Sequence, residues 1–232
     1  MTRFTWLGHS TFHIEVGDGP AILIDPWFTG NPSYPEGMEP NRVDVLLITH
    51  GHFDHITDAL AVAERFKPTI LCNYEVSAWL GSKGAENVTG MNLGGSCETN
   101  GLTVTMTRAL HSSSIDDGGQ QIYGGVAAGF VVLQPDGRAF YCAGDTDVFS
   151  DMQLIRRLHQ PALAMLPIGD LFTMGPREAA LACEFLEPEV VLPMHYGTFP
   201  VLTGTPEKVR AALGDGSTVD VVSLEPGGTF EW

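Results

Sequence analysis

His50-Gly51-His52-Phe53-Asp54-His55 places four side chains able to ligate a metal within six residues. They follow the apolar run Val43 to Ile48, which reads as a buried strand delivering its end to a site. Alternate residues of an extended segment point the same way, so His50 and His52 can share one ion, with Gly51 keeping bulk away between them. Asp54 and His55, beyond the turn, would face a second position at the about 3.5–4 Å spacing of two-metal sites. Imidazole and carboxylate without thiolate suit zinc, and also manganese or iron. Such a centre hydrolyses: coordination lowers the pKa of bound water toward about 7 and polarises a scissile carbonyl or phosphoryl oxygen.

Two ions need more ligands, and the chain offers them where strands end. His111 comes shortly after Leu102 to Thr107, Asp145 directly after Ala139 to Ala143, and His195 after Val190 to Pro193. Asp25 ends Ala21 to Ile24, where its carboxylate can cap the strand. Candidate substrate contacts stand beside these motifs. They are His9, Ser112 and Ser113 in the first half, then Asp170, Thr173, Tyr196 and Thr198. Tyr196 or His9 could donate a proton to a leaving group. Cys142 reads as a core strand residue.

Behind these residues the pattern is of strands first, then strands alternating with helices. Phe4 to Leu7, Phe12 to Val16 and Ala21 to Ile24 read as an antiparallel meander. A Pro- and Gly-rich loop spans 26 to 42. Helices are expected at Asp58 to Phe66 and Glu75 to Leu80, with a short strand at Thr69 to Cys72 between them. Met91 to Gly95 reads as a turn and His111 to Gly119 as a polar loop. Pro135-Asp136-Gly137 joins Val126 to Leu133 and Ala139 to Ala143 as a hairpin. Helices at Phe149 to Leu158, Pro176 to Phe185 and Pro206 to Leu213 then alternate with strands at Leu163 to Leu166 and Val190 to Pro193. Pro176 and Pro206 suit first-turn positions.

With 232 residues, no linker and no charge block, the chain reads as a single domain, 1–232. A net charge of −16 with 12 Lys and Arg excludes a phosphate-neutralising face, so a small molecule is the expected partner rather than nucleic acid. No run approaches the roughly 18 apolar residues of a membrane span, and no secretory signal opens the chain. Cys72, Cys97, Cys142 and Cys183 are scattered, as for reduced thiols in a cytoplasmic protein. Homo-oligomerisation is left open.

The order His50-x-His52-x-Asp54-His55, His111, Asp145, His195 resembles the metallo-β-lactamase superfamily. Thr5-Trp6-Leu7-Gly8-His9-Ser10, Ile24-Asp25-Pro26, Met91-Asn92-Leu93-Gly94-Gly95, Leu166 to Asp170, Phe172 to Pro176 and Pro193 to Pro200 narrow the likeness. Nearly the whole chain is similar to a family of bacterial and archaeal metal-dependent hydrolases related to the ascorbate-6-phosphate lactonases. The resemblance implies a four-layer αββα sandwich with the site at one edge of two sheets. It implies that His50, His52 and His111 hold one divalent ion, that Asp54, His55 and His195 hold the other, and that Asp145 bridges them. Against two divalent ions, Asp54, Asp145 and a bridging hydroxide would leave about one positive charge, drawing an ester or phosphate oxygen. Asp54 would also orient the hydroxide and relay its proton, and Asp25 matches a superfamily aspartate that would orient a ligating imidazole or the metal-binding loop.

The implied reaction is hydrolysis of a small ester, lactone or phosphodiester. Redox relatives are one alternative: flavo-diiron proteins typically carry Glu where His52 stands, and persulfide dioxygenases use a single iron, which a full second ligand set speaks against. A tRNA-processing nuclease is the other alternative, disfavoured by the acidic charge. A binding role without catalysis ranks last, because so complete a ligand set is costly to keep folded without metal.

Overall fold

The computed structural model describes residues 1–232. Strands β1 (Thr2–Trp6), β2 (Phe12–Val16) and β3 (Ala21–Ile24) form the expected antiparallel meander, and β4 (Val45–Leu47) adds in parallel to β3. A one-turn helix α1 (Phe53–Ile56) and helix α2 (Ala59–Phe66) precede β5 (Thr69–Asn73), and α3 (Tyr74–Ser82) precedes β6 (Val88–Met91). The turn at Asn92 to Gly95 then passes the chain to a second sheet, which begins with β7 (Ser96–Thr99) and β8 (Leu102–Arg108). A separate ribbon, β9 (Ser114–Asp117) and β10 (Gln120–Tyr123), follows. β11 (Ala128–Leu133) and β12 (Ala139–Cys142) make the hairpin, with Leu133 opposite Ala139. The chain ends as α4 (Met152–His159), β13 (Leu163–Pro167), α5 (Pro176–Leu186), β14 (Val190–Met194), α6 (Pro206–Leu213), β15 (Asp220–Val221) and β16 (Thr229–Glu231). The two large sheets have the orders β16-β1-β2-β3-β4-β5-β6 and β15-β14-β13-β12-β11-β8-β7.

Strand alternation sorts side chains into layers. Ile22, Ile24, Val45 and Leu47 face the second sheet, meeting Val104, Phe130, Phe140 and Met165 in a dry interlayer core. Leu23 and Leu46 face outward against Val62 of α2 and Val76 of α3. On the far side Tyr141, Ala164 and Val191 bury Ile155 of α4, Cys183 of α5 and Val209 of α6. The architecture is the αββα sandwich of the metallo-β-lactamase fold. Cys142 is a fully buried residue of the interlayer core, and all four cysteines are free.

The expected loop at His111 to Gly119 is instead half of a ribbon. Its strands show only Ile115 and Ile122 as apolar alternations, too short a signal to read, yet Ile115 is fully buried against α2 and α3. Strands β6, β7, β15 and β16 lie at or near sheet edges and were likewise silent in the pattern. The helix expected from Phe149 starts three residues later, at Met152.

Candidate metal centre

Antiparallel pairing of β1 with β2 and β2 with β3 makes β1 run with β3, β4 and β5. The same logic makes β8 run with β12, β13 and β14. The C-terminal ends of these strands meet at one edge of the sandwich, and six of them deliver a polar side chain there. β1 leads to His9, β3 to Asp25 and β4 to His50. β8 leads to His111, β12 to Asp145 and β14 to His195. His9, Asp25 and His195 have φ of 54°, 45° and 55°, a left-handed conformation that side-chain-bearing residues adopt at a cost. These three strands turn sharply inward on leaving the sheet. Gly51 is required between its histidines, since a Cβ there would lie 2.6 Å from Ile115 Cγ1 and 3.1 Å from Ser114 O.

The centre is organised around one carboxylate oxygen. Asp145 Oδ2 lies 3.0 Å from His195 Nε2, 3.3 Å from His55 Nε2, 3.6 Å from His111 Nε2 and 3.9 Å from His50 Nε2. Two groups of ligand atoms flank it. His50, His52 and His111 form one, with His50 Nε2 2.9 Å from His52 Nδ1. Asp54, His55 and His195 belong to the other, with Asp54 Oδ2 3.8 Å from both imidazole Nε2 atoms.

The tautomers follow from hydrogen bonding. The Thr49 hydroxyl gives its only proton to Asp25 Oδ2 at 2.6 Å, so at 3.0 Å it accepts from His50 Nδ1–H and leaves the His50 Nε2 lone pair facing the centre. His55 Nδ1–H donates to the same Asp25 oxygen at 2.7 Å, and its Nε2 is the nitrogen that faces inward. Thr49 N–H donates to the other Asp25 oxygen at 2.8 Å. Asp25 therefore sets the tautomers of two inward-facing histidines, one directly and one through Thr49.

These residues fit divalent ions. His55 Nε2 and Asp145 Oδ1 are buried without a hydrogen-bond partner, a cost that a cation held between imidazole and carboxylate would remove. Burial holds His50 well below the ordinary imidazole pKa and lowers His52 and His111, so all three present the neutral form that ligates. Burial works to raise Asp145 and Asp54, but facing histidines overcome it. His195 and His55 keep Asp145 ionised, and His55 and His9 keep Asp54 ionised. Burial likewise opposes charge on His55, yet Asp145, Asp25 and Asp54 raise its pKa well above the usual value. That is an anionic pocket attracting positive charge.

Of the candidate substrate contacts, Ser112 alone lines the cavity above this centre, its Oγ 3.4 Å from His52 Nε2. His9 is fully buried. Its Nε2–H donates to Asp54 Oδ2 at 2.9 Å and its Nδ1 accepts from Thr198 Oγ1 at 2.8 Å, so both residues serve Asp54 rather than a substrate. Ser113 accepts from Gly51 N–H and donates to Gly124 O, pinning the ligand loop. The Tyr196 hydroxyl donates to Leu224 O and its ring stacks on Trp6 at 5.0 Å, which turns it away. Asp170 accepts from Leu171 N–H, and Thr173 donates to Met174 O. The pattern missed Thr49, whose hydroxyl bears no motif. It also missed the cavity walls Phe53, Leu171, Phe172, Phe199 and Val201, although exposed-loop aromatics beside ligands were a usable signal.

Sandwich and ligand edge together define the class: the chain belongs to the beta-lactamase superfamily, whose domain matches residues 21–196. Within that class it belongs to the UPF0173 metal-dependent hydrolase family. It is 51% identical over 230 residues to a UPF0173 metal-dependent hydrolase of Solibacter usitatus, covering 99% of this chain and 100% of the relative. A UPF0173 metal-dependent hydrolase of Methanopyrus kandleri is 45% identical over 230 residues, 99% of each chain. Among solved structures, Igni18, a metallo hydrolase from the archaeon Ignicoccus hospitalis, superposes with a TM-score of 0.88 at 38% identity, covering 100% of both chains.

Proposed function

We propose that the chain is a binuclear hydrolase that cleaves a small ester, lactone or phosphodiester with activated water. The observation that carries this reading is Asp145 Oδ2, within 4 Å of four imidazole nitrogens drawn from both ligand groups. His50, His52 and His111 would hold one divalent ion and Asp54, His55 and His195 the other, with Asp145 between them. Zinc matches this donor set, with manganese or iron as alternatives. When bound, the ions supply a water acidic enough to ionise near neutral pH and an electrophile for the scissile oxygen.

The chain's own residues do the rest. Asp54 remains ionised, and its Oδ2 is held in place by the His9 Nε2–H, which suits it to orient the attacking water. Asp25 and Thr49 keep the imidazole lone pairs turned inward. Relatives named as hydrolases favour this reading over redox chemistry.

Protein loaded with zinc or manganese should contain about two ions per chain by elemental analysis and hydrolyse members of an ester, lactone and phosphodiester panel. His52→Ala should lose one ion and more activity than the roughly 10–100-fold loss usual for an outer-sphere partner. One iron per chain with oxygen uptake on persulfides, or no metal-dependent hydrolysis, would sink the proposal.

A further inference from the structure

The cavity over the metal centre has a volume of ≈ 760 Å³, and its walls are apolar. Phe53 is 56% exposed, Leu171 64%, Phe172 52% and Val201 48%, and they come from three separate segments to ring one opening. Single exposed apolar residues need no explanation, but a contiguous group around a cavity marks a binding surface. Two rings of the wall are braced from beneath. The buried Trp27 meets Phe53 edge-on at 5.6 Å and lies 6.0 Å from Phe199.

What the wall lacks is as informative. None of the twelve Lys and Arg residues lines the cavity. Phosphate monoesters and carboxylates are ordinarily gripped by such side chains, often by a bidentate arginine. Here an anionic substituent remote from the metals would have no partner, in a protein already carrying −16.

Leu171 supplies an independent observation. It sits at φ 54° after Asp170 at φ 70°, and Phe172 N–H donates across it to Asp170 O at 2.6 Å, closing a three-residue turn. Glycine or asparagine would hold this conformation at less cost. A strained leucine left largely in solvent gains nothing from packing, and strain kept at a cavity mouth points to what the side chain meets there.

Resting on the hydrolase reading above, we infer that the substrate is an uncharged acyl compound whose apolar group occupies the mouth formed by Phe53, Leu171, Phe172, Phe199 and Val201. Water adds to the acyl carbon, the bond to the leaving oxygen breaks, and the water's proton passes to that oxygen. The products are a carboxylic acid and an alcohol, or a hydroxy acid from a lactone.

The test is a p-nitrophenyl ester series from acetate to octanoate on zinc-loaded protein, with the hemisuccinate ester and p-nitrophenyl phosphate as charged members. The expected kcat/KM rises about threefold per methylene until the mouth is filled. The hemisuccinate should fall at least about tenfold below the butyrate, since a charge is buried unpaired. Leu171→Asn should flatten the chain-length slope through KM, while Tm stays level or rises as strain is relieved. A flat series, a charged ester as fast as its neutral match, or an unchanged slope in Leu171→Asn overturns the inference. So does sedimentation as a dimer whose apolar mouth is buried against a second copy. Tryptophan fluorescence titrated with acetohydroxamate and octanohydroxamate separates the two readings. Tighter octanohydroxamate binding with no turnover of any ester, lactone or phosphodiester overturns the hydrolase reading and spares the apolar mouth, whereas no chain-length preference in either assay overturns the mouth.

Discussion

Thr49 shows how much can rest on a residue that ligates nothing. Its hydroxyl accepts from His50 Nδ1 and donates to Asp25, so one proton's position fixes which His50 nitrogen faces the centre. Thr49→Val keeps the shape and deletes the relay. Backbone donation from residue 49 to Asp25 persists, and so does the His55 link, so the fold should stand. Metal affinity should fall by about 10–100-fold, the usual weight of such a partner, measured by competition against a chromophoric chelator. An affinity within about twofold of wild type would show that His50 needs no orienting bond. Asp25 could be read from the sequence because Ile24-Asp25-Pro26 resembles a motif of the superfamily. Thr49 could not, because threonine before a ligand is ordinary composition until the distances are known. The same limit applied to Tyr196 and Thr173, whose proximity in sequence to ligand motifs said nothing about direction. The backbone turns at His195 and Asp170 decide which side chains enter the cavity.

Elements position the ligands by ending where they do, and Gly144 is the clearest case. It has φ 62°, and a Cβ there would stand 2.6 Å from Ala128 O and 2.9 Å from Thr49 Cβ. The backbone of β11 and the start of the ligand loop leave it no room. Gly144→Ala should destabilise the protein by about 2–3 kcal/mol through combined strain and overpacking. It should also shift Asp145 enough to lower bound metal, read by urea unfolding and elemental analysis on the same sample. Full stability with normal metal content would refute the steric reading. The long, strongly patterned elements were legible: the meander, the buried β4, the Pro135-Asp136-Gly137 hairpin and the helix–strand alternation of the second half. What escaped were pieces whose stability is tertiary. α1 is a single turn with too few residues to show a period. β9 and β10 hold one buried apolar residue against Gly51 amid polar neighbours, and β15 and β16 are two- and three-residue edge pairings. Their existence depends on a partner strand that a local pattern cannot reveal.

At the scale of the molecule, the centre couples metal, protons and folding, and the sign of each can be worked out. In the metal-free protein, burial lowers His9 from 6.5 to about 4 despite the Asp54 carboxylate, and burial lowers His50, His52 and His111 as well. Between the folded and unfolded values the unfolded chain binds the extra proton, so these groups remove stability as pH falls below about 6.5. For His9 the loss is complete near pH 4 and amounts to about 3 kcal/mol. His55 has the opposite sign. Its raised folded pKa contributes stability that is full below about 6.5 and is lost as pH climbs through the folded value. Asp54 and Asp145 contribute above about pH 4, and their share is lost only as pH falls through their depressed folded values. Between pH 6.5 and 4 the contributions of His55, Asp54 and Asp145 are constant, so the lowered histidines set the slope and the chelated protein should weaken steadily across that window. If the site binds zinc as proposed, the ion would add stability by mass action, about 4 kcal/mol at a thousand times its Kd, with protons competing for the same nitrogens. The gap between loaded and chelated protein should therefore be widest near neutrality and close in acid. Urea denaturation with zinc or with a chelator at pH 7.5, 6.0 and 5.0 measures both effects. A chelated protein equally stable at all three values would contradict the burial of neutral histidines, and a gap independent of pH would mean that imidazoles do not hold the ions.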